Sequence, residues 1–142
     1  MVDNEVQVQH LEDFAKSNPS PASLPWDVFI KIDVGSHRAG VEPSSPALPK
    51  LIRRVVESPV ANVYGFYCHA GHSYGCRTAE EAATVLKSEL EGLIKAAELL
   101  KERKVVLSIG STPTAHVVRE LGKMAQNMEV ELHAGLFPLP TF

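Results

Sequence analysis

Apolar runs typical of buried strands alternate with helical patterns along this 142-residue chain, and this alternation constrains its fold most. We predict strands at 26–34, 61–68, 105–109 and 130–133, each preceded by a helix. Such an order implies parallel strands joined by right-handed crossovers, in an open doubly wound sheet or a (β/α) barrel. Because a closed barrel needs eight units and about 250 residues, four strands predict an α/β fold that forms roughly half of a TIM barrel.

The limits of the four helices follow from capping residues and apolar spacing. The predicted starts are Asp3 as N-cap of the first helix, Ser45–Pro46 for the second, a Thr78–Glu81 capping box for the third, and Thr112 as N-cap with Pro113 next for the fourth. The predicted buried face of the first helix is Val6, Leu11, Phe14 and Ala15. That of the second is Leu48, Leu51, Ile52, Val55 and Val56.

Composition excludes several classes of protein. The formal net charge is −3 and there is no basic run, so nucleic acids and anionic membranes are not expected partners. No apolar stretch approaches the ~20 residues of a membrane span. Two cysteines, Cys68 and Cys76, do not make a disulfide framework, and we expect a reduced, cytoplasmic setting.

Polar, glycine-rich segments follow the predicted strands, at 35–40, 69–75, 110–112 and 133–135. Functional sites of parallel α/β folds lie at the carboxyl ends of the strands, so these four segments are expected to surround one ligand. Gly110, Ser111 and Thr112 open a helix, where free backbone N–H groups would seat a phosphate. An ordinary capped turn is the alternative interpretation of these three residues.

Alternation along the strands predicts which side chains face the barrel interior. In the first strand these are Phe29, Lys31 and Asp33, and in the last they are Glu129, Glu131 and His133. Inward charges near the carboxyl end of a strand favour a site, because buried charges are costly without partners. A half-exposed strand whose charges meet water is the alternative.

Four of these segments together resemble a known family. Lys31–Val41, Tyr67–Tyr74, Gly110–Thr114 and Glu131–Gly135 are similar to eukaryotic D-serine dehydratases, pyridoxal 5′-phosphate enzymes of the alanine racemase fold (fold type III), with D-threonine aldolases as close cousins. The resemblance implies a lyase that converts D-serine, or another D-3-hydroxy amino acid, to a keto acid and ammonia. It also implies pyridoxal 5′-phosphate as cofactor and zinc in the full-length enzymes.

Roles carry over only to matched positions. By the resemblance, Arg38 bonds the phenolic oxygen of the cofactor beside Lys31, His69 lies against the pyridine ring, and His133 lies near the pyridine nitrogen. The phosphate-binding positions are Gly110, Ser111, Thr112, Gly135 and Leu136. Tyr74 matches a substrate-side position, with a packed surface tyrosine as its alternative.

The resemblance also implies groups that have no match here. The Schiff-base lysine belongs upstream of the matched segments and the zinc ligands downstream, so no catalytic or metal-binding residue is predicted. We expect residues 1–136 to be a partial cofactor-binding barrel domain and 137–142 an irregular tail. The expectation is a truncated fragment that is inactive alone and associates with itself or with the missing half of the barrel.

Three other hypotheses remain open at this stage. The chain could be a non-catalytic module that binds pyridoxal 5′-phosphate or a partner protein, or a piece of an enzyme similar to D-threonine aldolase. A cluster of Cys68, His69, His72 and Cys76 has the residue types of a zinc site. Adjacent residues on a strand point to opposite faces, which makes four convergent ligands awkward.

Overall fold

A computed structural model describes residues 1–18, 25–101, 103–119 and 128–134. Its helices are α1 (Glu5–Ser17), α2 (Ala47–Val56), α3 (Ala79–Ala97) and α4 (Thr112–Ala115). Its strands are β1 (Trp26–Lys31), β2 (Ala61–Tyr67), β3 (Val106–Ile109) and β4 (Glu129–Leu132), and short 3₁₀ helices cover Gly71–Gly75 and Glu98–Leu100. In these residues no helix is long and apolar enough to cross a membrane.

The four strands form one parallel sheet in the order β1-β2-β3-β4. Val2 adds a parallel bridge to Ile30 on the outer side of β1. The prediction of an α/β fold with four parallel strands is confirmed, and the arrangement is consistent with part of a TIM barrel.

The core lies between one face of the sheet and the helices. The strand side chains that face the helices include Val28, Ile30 and Phe66, and the helices contribute apolar stripes. Those stripes are Leu48, Leu51, Ile52 and Val55 on α2, and Leu86, Leu90 and Leu93 on α3. Each such side chain stabilises the fold by about 1.5–3 kcal/mol. The predicted stripe of α2 is confirmed except for Val56, which is 43% exposed.

The predicted face of α1 is wrong in part. Val8 is fully buried, whereas Val6 and Phe14 are 60% and 58% exposed. The helix contacts α2 through the stripe that runs from Val8 to Leu11 and Glu12, and Val6 and Phe14 lie off this stripe.

The N-caps of α1 and α4 differ from the predictions by one residue. Asn4, not Asp3, caps α1 by accepting from the N–H of Gln7 at 3.1 Å, because the Asp3 carboxylate instead accepts from the N–H of Gly40 at 3.0 Å. Ser111, not Thr112, is the N-cap of α4.

The capping box predicted for α3 is only half formed. The Thr78 hydroxyl accepts from the N–H of Glu81 at 3.2 Å, but the Glu81 carboxylate accepts from the N–H of Arg77 at 2.7 Å. The hydroxyl therefore caps the helix as predicted, but the carboxylate bonds to the N–H of the residue before the N-cap.

An ion pair ties α1 to α2. The two terminal nitrogens (Nη1 and Nη2) of the Arg54 guanidinium each lie 2.7 Å from an oxygen of the Glu12 carboxylate. This carboxylate also accepts from the Ser58 hydroxyl at 2.9 Å. The bond from Arg54 lowers the pKa of Glu12 to about 2, against the effect of burial. This bidentate geometry fixes how α1 lies on the core.

Candidate active site

The loops that follow β1, β2, β3 and β4 meet at one end of the sheet, and we call this end the rim. The Ser36 hydroxyl donates to the carbonyl of His69 at 2.9 Å and accepts from the N–H of Gly71 at 3.1 Å. The Nδ1 atom of His69 lies 3.2 Å from the carbonyl oxygen of Gly110. The N–H of His133 donates to the carbonyl of Ile109 at 3.0 Å. Hydrogen bonds thus join each loop to the next.

Asp33 organises the loop after β1. Its carboxylate accepts from the N–H groups of Gly35 and His37 at 3.0 and 3.1 Å, and His37 adopts a positive φ of 49°. Burial alone would raise the pKa of Asp33, but these two N–H groups outweigh it and lower the pKa. Asp33 lies beyond the strand, because β1 ends at Lys31 rather than at the predicted Val34.

Two cations lie on the open face of the sheet at the rim. The Lys31 Nζ atom is 5.0 Å from the centroid of the Tyr67 ring, a cation–π distance. Burial, and then the charge of Arg38, lower the pKa of Lys31. The Arg38 side chain is exposed, and its charge also acts on Tyr67 and His69. The rim is therefore a place where an anionic group would be stabilised.

The structure places His69 between the loops. Its ring is 6.0 Å from that of His133 and 6.3 Å from that of Tyr74. Burial lowers the pKa of His69, so the imidazole is neutral at neutral pH. Because a carbonyl oxygen only accepts, Nδ1 donates to Gly110 and carries the proton. The Nε2 atom of His69 is then an acceptor.

His133 stacks on Tyr67, with ring centroids 4.3 Å apart and an interplanar angle of 11°. Its Nδ1 atom is 3.1 Å from the Ser108 hydroxyl. Its Nε2 atom is buried and has no hydrogen-bond partner within the described residues. Burial of the ring lowers the pKa of His133 to about 4. The ring is therefore neutral, with one polar atom unsatisfied.

The turn after β3 is held by buried hydroxyls. The Ser111 Oγ atom lies 2.6 Å from that of Ser73 and 2.9 Å from that of Thr114, and the N–H of Ser111 donates to the Thr114 hydroxyl at 2.9 Å. Ser111 is fully buried, so its polar groups serve the turn itself. Thr112 is half-buried, and its hydroxyl lies 3.4 Å from that of Tyr74, which is 57% exposed.

Some predicted residues lie elsewhere or outside the structure. Gly135 and Leu136 are outside the described residues. Cys68 is buried with its thiol 3.7 Å from the Glu89 carboxylate, on the helix side of the sheet, away from His69. Within residues 1–18, 25–101, 103–119 and 128–134, no three His, Cys, Asp or Glu side chains form a metal-binding group.

Sequence reasoning missed four residues that shape the rim: Ser36, Ser73, Ser108 and Glu89. Serines in polar loops carry no periodic signal. Glu89 does carry one, because it lies within the apolar stripe of Leu86, Leu90 and Leu93 on α3, where a carboxylate is unexpected.

This fold is consistent with part of a (β/α) barrel, and the chain belongs to the family described as "Alanine racemase, N-terminal domain", whose profile matches residues 1–128. The curated relatives include the D-serine dehydratases of Schizosaccharomyces pombe (37% identical, covering 98% of this chain and 35% of the relative) and Saccharomyces cerevisiae (34%, covering 83% and 29%). The solved structure of D-threo-3-hydroxyaspartate dehydratase from Delftia sp. HT23 matches with a TM-score of 0.77 and 30% identity, over 94% of this chain and 34% of that one.

These relatives confirm the resemblance to the D-serine dehydratase family that the four segments indicate. The chain spans about a third of the length of the curated relatives that it matches.

Proposed function

We propose that this chain binds pyridoxal 5′-phosphate at the rim and supplies its ring and phosphate contacts to a lyase for D-3-hydroxy amino acids, D-serine foremost. The observation that carries the proposal is the unpartnered, buried Nε2 atom of His133, which lies beside His69 among the joined loops. An unpaired buried polar atom is costly, and a ring nitrogen of a bound ligand would satisfy it. The reaction class comes from the names of the relatives.

The other rim residues fit the same ligand. A guanidinium at Arg38 is permanently charged and would hold a phenolic oxygen in its ionised form, with Lys31 adding to the field. Neutral His69 would pack against the ring. The turn at Gly110–Thr112 would receive the phosphate, with Ser111 supporting the turn from within and the Thr112 and Tyr74 hydroxyls on its accessible side.

When bound, pyridoxal 5′-phosphate supplies an electron-accepting ring that stabilises negative charge at the α-carbon of an amino acid. The residues of this chain would bind and orient it and keep its oxygen ionised. By the resemblance, the Schiff-base lysine and the zinc ligands have no match among these positions. We therefore expect this chain alone to bind the cofactor without converting D-serine.

The binding experiment uses pyridoxine 5′-phosphate and pyridoxine, which lack the aldehyde and cannot react with surface lysines. Calorimetry should give at least about tenfold tighter binding of the phosphorylated form, since hydrogen bonds to a charged group contribute about 1.5–3 kcal/mol. Arg38→Ala should weaken both ligands by about tenfold, because the contact to the ring oxygen is charge-assisted. Arg53→Ala, on the exposed side of α2, is the matched control and should change neither.

Each outcome decides between the hypotheses. Equal affinity for the two ligands would contradict the phosphate site. Pyruvate from D-serine, assayed with pyridoxal 5′-phosphate present, would contradict the inactivity of the isolated chain. Phosphate-dependent binding that Arg38→Ala leaves intact would favour a different binding module over a D-serine dehydratase-like rim.

We also propose that two copies of this chain associate through the open face of the sheet. Tyr64 on β2 is 40% exposed, and the half-buried ring of Phe29 on β1 packs against it on the same face, with ring centroids 5.0 Å apart. Exposed strand edges and apolar faces promote association. Sedimentation velocity should therefore give a mass above that of the 15.5 kDa monomer. A single monomeric species at micromolar concentration would contradict this expectation.

A further inference from the structure

A glutamate is buried on the face of α3 that is otherwise apolar. Glu89 has no exposed surface and lies in the stripe that packs on the ends of β2 and β3. Fully buried carboxyl groups are rare unless they are paired.

The Glu89 carboxyl contacts the residues on both sides of His69. Its Oε1 atom accepts from the N–H of Ala70 at 3.1 Å and lies 3.7 Å from the Cys68 thiol. The same loop contacts the turn after β3, because the Ser73 hydroxyl lies 2.6 Å from the Ser111 hydroxyl. Glu89 on the helix thus holds the loop that carries His69, and that loop in turn contacts the turn after β3.

Burial raises the pKa of Glu89, and the N–H of Ala70 and the Thr114 hydroxyl oppose this without reversing it. Within the described residues the Oε2 atom has no hydrogen-bond partner. A neutral amide of the same shape would therefore keep the bond from Ala70 and tolerate the position of Oε2.

We propose that Glu89 is a positioning residue that holds the His69 loop and, through the contact of that loop with Ser111, keeps it in a fixed relation to the Gly110–Thr114 turn, so that ring and phosphate are bound together. This inference rests on the proposed function, because it concerns the same ligand. A side chain that does not itself touch the ligand can fix the position of a binding residue through hydrogen bonds of this kind. A side chain that serves folding alone would instead change stability without changing the preference for the phosphorylated ligand.

The test measures the ratio of the Kd of pyridoxine to that of pyridoxine 5′-phosphate, together with the melting temperature. In Glu89→Leu the ratio should fall about tenfold, the scale on which such supporting bonds act, and the melting temperature should also fall because the buried N–H of Ala70 loses its acceptor. In Glu89→Gln the ratio should stay within about twofold of that of the unmodified chain, since the bond from Ala70 is kept. Glu91→Leu, on the exposed side of α3, is the control and should keep the ratio.

Glu89→Asp keeps the carboxyl group, but its shorter side chain moves that group away from the N–H of Ala70. If the leucine variant does not fold, the aspartate variant tests the inference instead. A ratio equal to that of the unmodified chain in Glu89→Leu or Glu89→Asp would overturn the inference and leave the phosphate site standing. So would an equal loss in Glu89→Gln and Glu89→Leu. An unmodified chain that does not prefer the phosphorylated ligand would overturn the proposed function and this inference with it.

Discussion

Replacing Gly65 with alanine is expected to unfold much of the sheet. A Cβ atom at this position would lie 2.0 Å from the carbonyl oxygen of Val106 on β3, and both atoms belong to paired backbone that cannot move independently. The expected loss is about 4 kcal/mol or more, out of the 5–15 kcal/mol typical of a domain. Urea denaturation followed by circular dichroism measures it.

Gly75→Ala is the matched control for this substitution. Among the residues that the structure describes, a Cβ atom there meets nothing within 4 Å, so the free energy of unfolding should change by no more than about 0.5 kcal/mol. If Gly65→Ala were as stable as Gly75→Ala, the close approach of β2 to β3 would be wrong.

Gly65 also decides which way the site residues face. Val28 pairs with Val63 but Phe29 pairs with Gly65, so β2 carries one extra residue at this point. Strict alternation from Ala61 would turn Tyr67 and His69 toward the helices. The bulge reverses the alternation, so that Phe66 and Cys68 are buried against the helices and Tyr67 and His69 reach the open face.

This bulge explains what sequence patterns could and could not predict. The strands, the apolar stripe of α2 and the parallel order depend on periods that extend over many residues, and these were predictable. The stacking of His133 on Tyr67 and the path of Cys68 toward Glu89 depend on one inserted residue in β2. A period-2 pattern interrupted once within seven residues gives no clear signal.

The helix caps and the contacts between loops could not be predicted for a different reason. Asp3 and Asn4 are equally good capping residues, and the choice between them depends on Gly40, which is 37 positions away in sequence. Likewise the Ser36 hydroxyl joins the loops after β1 and β2, although a serine in a polar loop carries no pattern. Such contacts form only when the sheet is assembled. The sequence therefore predicts that the loops lie at the same end of the sheet, but not which of their residues contact one another.

Gly110→Ala is expected to damage the rim more than any other single substitution in its loops. The φ of Gly110 is 131°, which L side chains rarely adopt, and a Cβ atom would lie 2.3 Å from the carbonyl oxygen of His133. Backbone strain of this kind costs about 1–3 kcal/mol, and relieving the contact would push the end of β4 away from β3.

That displacement would separate the two sides of the proposed site. The carbonyl of Gly110 accepts from His69, and the next residue caps the turn that would receive the phosphate. We therefore expect Gly110→Ala to lower the melting temperature. Where the variant is still folded, it should bind pyridoxine 5′-phosphate at least about tenfold more weakly, since the phosphate contacts depend on the backbone of the turn. Gly71→Ala, whose Cβ atom would make an ordinary van der Waals contact with the Ser36 hydroxyl at 3.8 Å, should keep both properties. A folded Gly110→Ala protein with undiminished affinity would place the phosphate away from this turn, because no phosphate could stay bound to a turn so displaced.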